Sequence, residues 1–278
     1  MTALSSLSIG NTYRFQISQH SAELRGLTRA VRVAHLSDLH YGVFVGLGSV
    51  RRWVDATLAA QPDLIVITGD FLDSSFRNRS YLSLLGELSR LRAPLGVYGV
   101  WGNHDWTSLN TGRTRARFAE RLRLHGITMI NNSGVQLRDD LYLAGVDDWW
   151  FGNQDLEAAL QGYRGGAVLL LSHNPDFLPY VSDRVQLTLC GHTHGGQVRI
   201  PLVGPLKRPT LQPVLQGWVR GDTLLSSPDE GENAPHPDPY RPALGFVSRG
   251  LGVTGVPVRW ACPAEIALLE LLPDPSST

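Results

Sequence analysis

Five short apolar runs constrain this chain more than any other feature, because each stops at a glycine or serine beside a chemically active side chain. They are "VRVAHLSDLH" (31–40), "DLIVITGD" (63–70), "GVYGVWGNHD" (96–105), "AVLLLSHNPD" (167–176) and "VQLTLCGHTH" (185–194). Runs rich in β-branched residues and bounded by turn formers predict buried strands. Val50, Trp53, Val54 and Leu58, and then Tyr81, Leu84, Leu85, Leu88 and Leu91, follow helical spacing between the first three runs,. A third helix is predicted over 112–125, stopped by Gly126,. Strands alternating with helices predict a layered α/β fold.

Further strands are read in "LYLAGVDDWW" (141–150), "ALGFVSRGLG" and "AEIALLELL". With no internal repeat and no linker, residues 1–278 are expected to form one domain, and the Pro- and acid-rich 227–241 stretch an exposed insertion loop,. The amino terminus shows no secretory signal, and no run reaches the roughly 18 apolar residues of a spanning helix. A cytoplasmic protein is expected, with any membrane contact peripheral. Cys190 and Cys262 form no Cys-x-x-Cys pair, which fits a reducing compartment,.

In open α/β sheets, ligands bind beyond the carboxyl ends of the strands. The five exits offer Asp38 and His40; Asp70; Asn103, His104 and Asp105; His173; and His192 and His194. Side chains two apart on an extended segment face one way, so Asp38 with His40, and His192 with His194, are each expected to aim at one point. Carboxylate, amide and imidazole donors without thiolate suit divalent manganese, iron or zinc. Gly69, Gly102, Gly191, Gly195 and Gly196 leave room for backbone to approach such ions closely,.

The order "DLH", "GD", "GNHD", the His of "LSHNPD" and "GHTH" resembles the calcineurin-like metallophosphoesterases. The later "GHTHGGQVRIPLVGPL" and "FVSRGLGVTGVPVRWACPAEIALLEL" look like its bacterial membrane-associated phosphodiesterase branch. That resemblance implies a two-layer β-sandwich core flanked by helices, and two divalent metal ions, manganese first, with iron, zinc or nickel as alternatives. It assigns Asp38, His40 and His194 to the first ion and Asn103, His173 and His192 to the second, with Asp70 bridging them. The implied reaction is hydrolysis of a phosphodiester by a metal-bridging hydroxide.

Two divalent cations outweigh the carboxylates of Asp38 and Asp70, leaving a positive site for an anionic phosphate. His104 is the expected general acid or oxyanion stabiliser, with Asp105 fixing its tautomer. Arg249 is the candidate phosphate clamp. His35, at odd offset from Asp38, is expected in the core. The substrate is expected to be a small-molecule or lipid-linked phosphoester. Twenty-five basic residues balance 25 acidic ones, so no nucleic acid is expected, and no obligate protein partner is inferred. The alternatives are a pyrophosphate hydrolase acting on a nucleotide-linked lipid precursor, for which "YGVFVGLG" and "PLVGPL" would supply a lipid contact, and a non-catalytic scaffold.

Overall fold

A computed structural model of the chain describes residues 13–74, 81–220, 223–224 and 245–277. The 227–241 stretch and residues 1–12 lie outside the described residues. The first half runs β1 (Phe15–Leu24), β2 (Val31–Leu36), α1 (Leu47–Ala59), β3 (Leu64–Thr68), α2 (Leu82–Leu88), β4 (Val97–Val100), α3 (Asn103–Ser108), α4 (Gly112–Leu124) and β5 (Ile127–Met129). The second runs β6 (Ser133–Arg138), β7 (Leu141–Gly145), α5 (Leu156–Leu160), β8 (Ala167–Leu171), β9 (Leu187–Cys190), β10 (Arg199–Ile200), β11 (Gly204–Pro205), β12 (Gly217–Val219), β13 (Gly245–Val247) and β14 (Ala264–Pro273).

These strands build two six-stranded sheets, ordered β1-β14-β2-β3-β4-β5 and β12-β13-β9-β8-β7-β6, plus the small β10-β11 pair. Alternation along each strand decides the layers. Val33, Leu64, Val66 and Val100 of the first sheet share one apolar cluster with Leu143, Leu169, Leu171 and Leu189 of the second, so these faces form the sandwich interior. The intervening Ala34, Leu36, Ile65 and Ile67 pack outward with Trp53, Val54, Leu84 and Leu85 of α1 and α2. On the far side Val168 and Leu170 meet Ala159 and Leu160 of α5. The expected sandwich flanked by helices is present.

His35 sits between the sheets, its Nε2 2.8 Å from Thr68 Oγ1. Burial, with a smaller push from His20, lowers its pKa to about 3, so it stays neutral in the core, as its offset predicts.

The run expected as strand through residue 105 ends at Val100, and a helix begins at Asn103. In α4, Arg115 stacks over Trp106 at 3.5 Å and Arg123 pairs with Glu120. Among the described residues no helix is long and apolar enough to cross a membrane.

Strands β2, β3 and β4 are mutually parallel, as are β7, β8 and β9. The carboxyl ends of β2, β3, β4, β8 and β9 therefore deliver the five predicted donor loops to one edge of the sandwich.

Candidate metal centre

The loops leave extended geometry at once. Asp38 (φ 53), His40 (φ 46), Asp70 (φ 54), His192 (φ 70) and His194 (φ 51) all occupy the left-handed region, which costs non-glycine residues about 1–3 kcal/mol each where it is strained. The loops are tied to one another: Asp38 N donates to Gly69 O at 3.1 Å, His40 N to Asp70 O at 2.9 Å, and Gly191 N to His173 O at 2.9 Å. Left-handed residues destroy two-residue alternation, so the expected common aim of His192 and His194 fails. His192 turns to Asn103 and His173, His194 to His40 and Asp38.

All seven expected donors nevertheless converge. His40 Nε2 lies 3.0 Å from His194 Nε2, and Asp38 Oδ1 lies 3.5 Å from His194 Nε2 and 4.0 Å from His40 Nε2. Across the site, Asn103 Oδ1 is 2.9 Å from His192 Nδ1 and 3.1 Å from His173 Nε2. Asp70 Oδ2 stands between the groups, 3.4 Å from His40 Nε2 and 3.3 Å from His173 Nε2. Donors bound at about 2.1 Å in tetrahedral or octahedral geometry are separated by about 3.0 to 3.4 Å. Spacings of 2.9 to 3.5 Å lie at or close to this range, and the 4.0 Å between Asp38 Oδ1 and His40 Nε2 is wider.

Outer contacts select which ring nitrogen faces inward. His173 Nδ1 donates to Thr68 O at 2.7 Å and His192 Nε2 to Pro209 O at 2.8 Å, so the inward nitrogens are His192 Nδ1, a lone-pair donor, and His173 Nε2, which becomes one on losing its proton,. His40 Nδ1 faces Asp73 Oδ2 at 3.5 Å. Asp73, which sequence reading did not single out, thus orients His40; its only signal was its place just beyond "GD".

Glycines make the convergence sterically feasible. A β-carbon on Gly191 would land on Ser37 Oγ and Asp38 Oδ2, and one on Gly102 on Asp70 Oδ1. Gly102→Ala is expected to cost about 1–3 kcal/mol by overpacking and, because the displaced group is Asp70, to lower metal content as well. Thermal unfolding and metal analysis of the purified variant check both.

Without ions the site balances its own charge. Burial alone would lower the pKa of His173, but the charge and hydrogen bond of Asp70, then Asp38 and Asp148, push it up to about 10. Burial lowers His192 to about 3, reinforced by the neighbouring His173. Asp70 faces His173, His104 and His40, which overcome its burial and hold it well below the usual carboxylate range. A protonated His173 therefore occupies the electrostatic place of a cation. Metal must displace that proton, so affinity should rise with pH by up to about tenfold per unit below pH 10 for one proton. Calorimetric titration with manganese in buffers of different ionisation enthalpy should register proton release.

His104 Nδ1 accepts from Ser74 N at 3.2 Å, which places its ring proton on Nε2. Its ring stands edge-on to His40, centroids 4.6 Å apart, and lines a cavity of about 480 Å³ that also contains Asp70, Asn103, His192 and His194. Asp105 does not reach it. The Asp105 carboxylate accepts from Leu72 N at 3.0 Å and Gly102 N at 3.1 Å, so it shapes the turn into α3 rather than fixing a tautomer. Consecutive residues on a helix point about 100° apart, which is why neighbours in sequence do not meet here. Burial and repulsion from Asp70 raise Asp105 to about 7.

Arg249 also departs from expectation. Its Nε and Nη2 donate to Glu265 Oε2 at 2.9 and 2.6 Å, and its backbone N to Glu265 Oε1 at 2.8 Å. It is not among the residues lining the cavity. That lining instead includes Trp150, Val198, Leu206, Lys207 and Val256, and Trp150 packs edge-on against His192 with ring centroids 4.4 Å apart.

Comparison with known proteins agrees with this geometry. The calcineurin-like phosphoesterase family model matches residues 31–196. The metallophosphoesterase YkuE of Bacillus subtilis is 29% identical over 248 residues, covering 86% of this chain and 78% of that protein. The phosphodiesterase YaeI of Escherichia coli is 33% identical over 179 residues, covering 62% of this chain and 64% of its own length. The UDP-2,3-diacylglucosamine pyrophosphatase LpxG of Chlamydia muridarum is 25% identical over 309 residues, covering 94% and 88%. With the family match spanning all five strand exits, the chain belongs to the calcineurin-like phosphoesterases and is a metal-dependent hydrolase of phosphoric esters.

Proposed function

We propose that this chain hydrolyses a phosphodiester at two divalent cations, one held by Asp38, His40 and His194, the other by Asn103, His173 and His192, with Asp70 shared. The observation that carries this reading is the position of Asp70 Oδ2, 3.4 Å from His40 Nε2 and 3.3 Å from His173 Nε2. When bound, the ions would supply Lewis-acid activation of the ester and of the attacking water. His104 Nε2–H supports the departing oxygen from the cavity wall, and His173 and His192 are held in register by their bonds to backbone carbonyls. Oxygen and imidazole donors favour manganese, iron, zinc or nickel, and manganese is the first choice.

A complete donor set with His104 in place argues against a non-catalytic scaffold. The two sheets share one interior, which supports a single domain. The buried, unbridged Cys190 and Cys262 support a reducing compartment such as the cytoplasm,.

The test removes metal with chelator and restores manganese, iron, zinc, nickel or magnesium singly, comparing a chromogenic phosphodiester with a phosphomonoester. The expected result is restored turnover with manganese and faster diester cleavage. No restoration by any ion would overturn the reading.

A second reading, a pyrophosphate bond in a nucleotide-linked lipid, is favoured by the apolar wall opposite the donors. Val198, Leu206 and Val256 line it beside Lys207, and Leu202 and Val203, between β10 and β11, are exposed apolar side chains. Hydrolysis of such a lipid in detergent micelles at rates above those for the chromogenic diester would select this substrate.

A further inference from the structure

Beyond the donors themselves, a buried cation from the far end of the chain reaches the site. Arg259 is 2% exposed. Its Nε donates to Gly252 O at 3.0 Å; its Nη2 donates to Gly252 O at 2.7 Å, Arg249 O at 2.8 Å and Gly250 O at 3.2 Å; its Nη1 donates to Cys262 O at 3.3 Å and His194 O at 3.4 Å. The same Nη2 lies 3.2 Å from His194 Nδ1, but His194 turns Nε2 to the donors and so carries its ring proton on Nδ1, and the hydrogen bond that holds this residue is the one from Nη1 to its carbonyl,. Carbonyls of five residues thus surround one guanidinium, and its planar fork reaches groups on several sides at once.

The loop that supplies most of these carbonyls lies directly on Asp38. Leu251 N donates to Ser37 O at 2.9 Å and Gly252 N to Asp38 O at 2.6 Å. A β-carbon on Gly250 would come within 2.8 Å of Asp38 Cβ and Oδ2, and one on Gly252 within 2.5 Å of Leu39 O. Arg259 therefore touches His194 directly and Asp38 through residues 249–252, and none of these contacts involves Asn103, His173 or His192.

We propose that Arg259 is a positioning residue for the first ion's half of the site: its buried guanidinium joins the 249–252 loop to His194 and so fixes His194 against Asp38. This rests on the reading that Asp38, His40 and His194 hold one ion. Outer partners of metal ligands are typically worth 10–100-fold in affinity. The loss should fall on one ion and not on the other.

The experiment titrates manganese into metal-free wild-type, Arg259→Lys and Arg259→Met chains, with bound ion counted by electron paramagnetic resonance. Lysine keeps the charge and loses the fork, which separates geometry from field. Wild type is expected to take up two ions, and both variants to bind one of them about 10–100-fold more weakly and the other within about threefold. In turnover, kcat falls and KM stays. Folded variants that bind both ions as tightly as wild type, or that weaken both equally, overturn the inference; a wild type that binds no ion overturns the underlying site instead. Should neither variant fold, hydrogen exchange on wild type decides. Linkage requires manganese to slow exchange of the Leu251 and Gly252 amides if their loop positions the ion, and unchanged exchange there refutes it.

Discussion

Asp70→Asn is expected to abolish measurable phosphodiester hydrolysis, lowering turnover by more than about 10³-fold, since even outer partners of metal ligands are worth 10–100-fold. The substitution is nearly isosteric, and an amide oxygen can still accept from His104 N, the bond that Asp70 Oδ1 accepts at 2.8 Å. What disappears is the charge. Asp70 Oδ2 lies within 3.4 Å of a ring nitrogen in each half of the site, and a neutral amide cannot offset two divalent cations there. Metal analysis should give fewer than two ions per chain alongside the lost activity. Two tightly bound ions with wild-type turnover would remove Asp70 from the shared position.

The same substitution alters the metal-free chain. His173, buried and held protonated chiefly by Asp70 against its burial, loses its main partner, and an unpaired buried cation is costly. The variant's His173 should therefore give up its proton at lower pH than in wild type. Histidine NMR titration of the metal-free variant reads this directly.

What could be read from sequence, and what could not, divides along a physical line. The strand exits were legible because buried parallel strands are continuous apolar runs, and Leu64–Thr68 and Ala167–Leu171 are buried throughout. Strand β1 was not legible. It lies at the sheet edge, with exposed residues along "FQISQHSAEL", so its pattern is that of polar surface. The donor set was legible from residue types and order, but not the reason for its convergence. Asp38, His40, His192 and His194 meet through left-handed backbone, a conformation that alternation along a strand cannot anticipate. Proximity in sequence misled for Asp105, which turns to Leu72 and Gly102, and the charge on Arg249 misled because Glu265 takes it up. Asp73 and Arg259 act through side chains distant in sequence or outside the motif spacing, and only the packed fold brings them to His40 and His194.

His104→Ala should separate chemistry from metal binding. The ring lines the cavity edge-on to His40 but is not one of the seven donors, its Nδ1 accepting from Ser74 N instead, so the variant should retain both ions. Burial, the largest influence, lowers its pKa despite the opposing charge of Asp70. In the metal-free chain the neutral ring with its proton on Nε2 is thus the favoured form, a hydrogen-bond donor aimed into the cavity. A positioned proton donor of this kind contributes about 10²–10⁴-fold. The size of the loss should depend on the substrate. A nitrophenolate leaves without much help, so its diester should lose about tenfold or less, whereas an alkoxide, being far more basic, should lose the full 10²–10⁴-fold. Plotting log kcat against leaving-group pKa should therefore give a steeper negative slope for His104→Ala than for wild type. Parallel slopes would mean that His104 orders the site without engaging the departing oxygen.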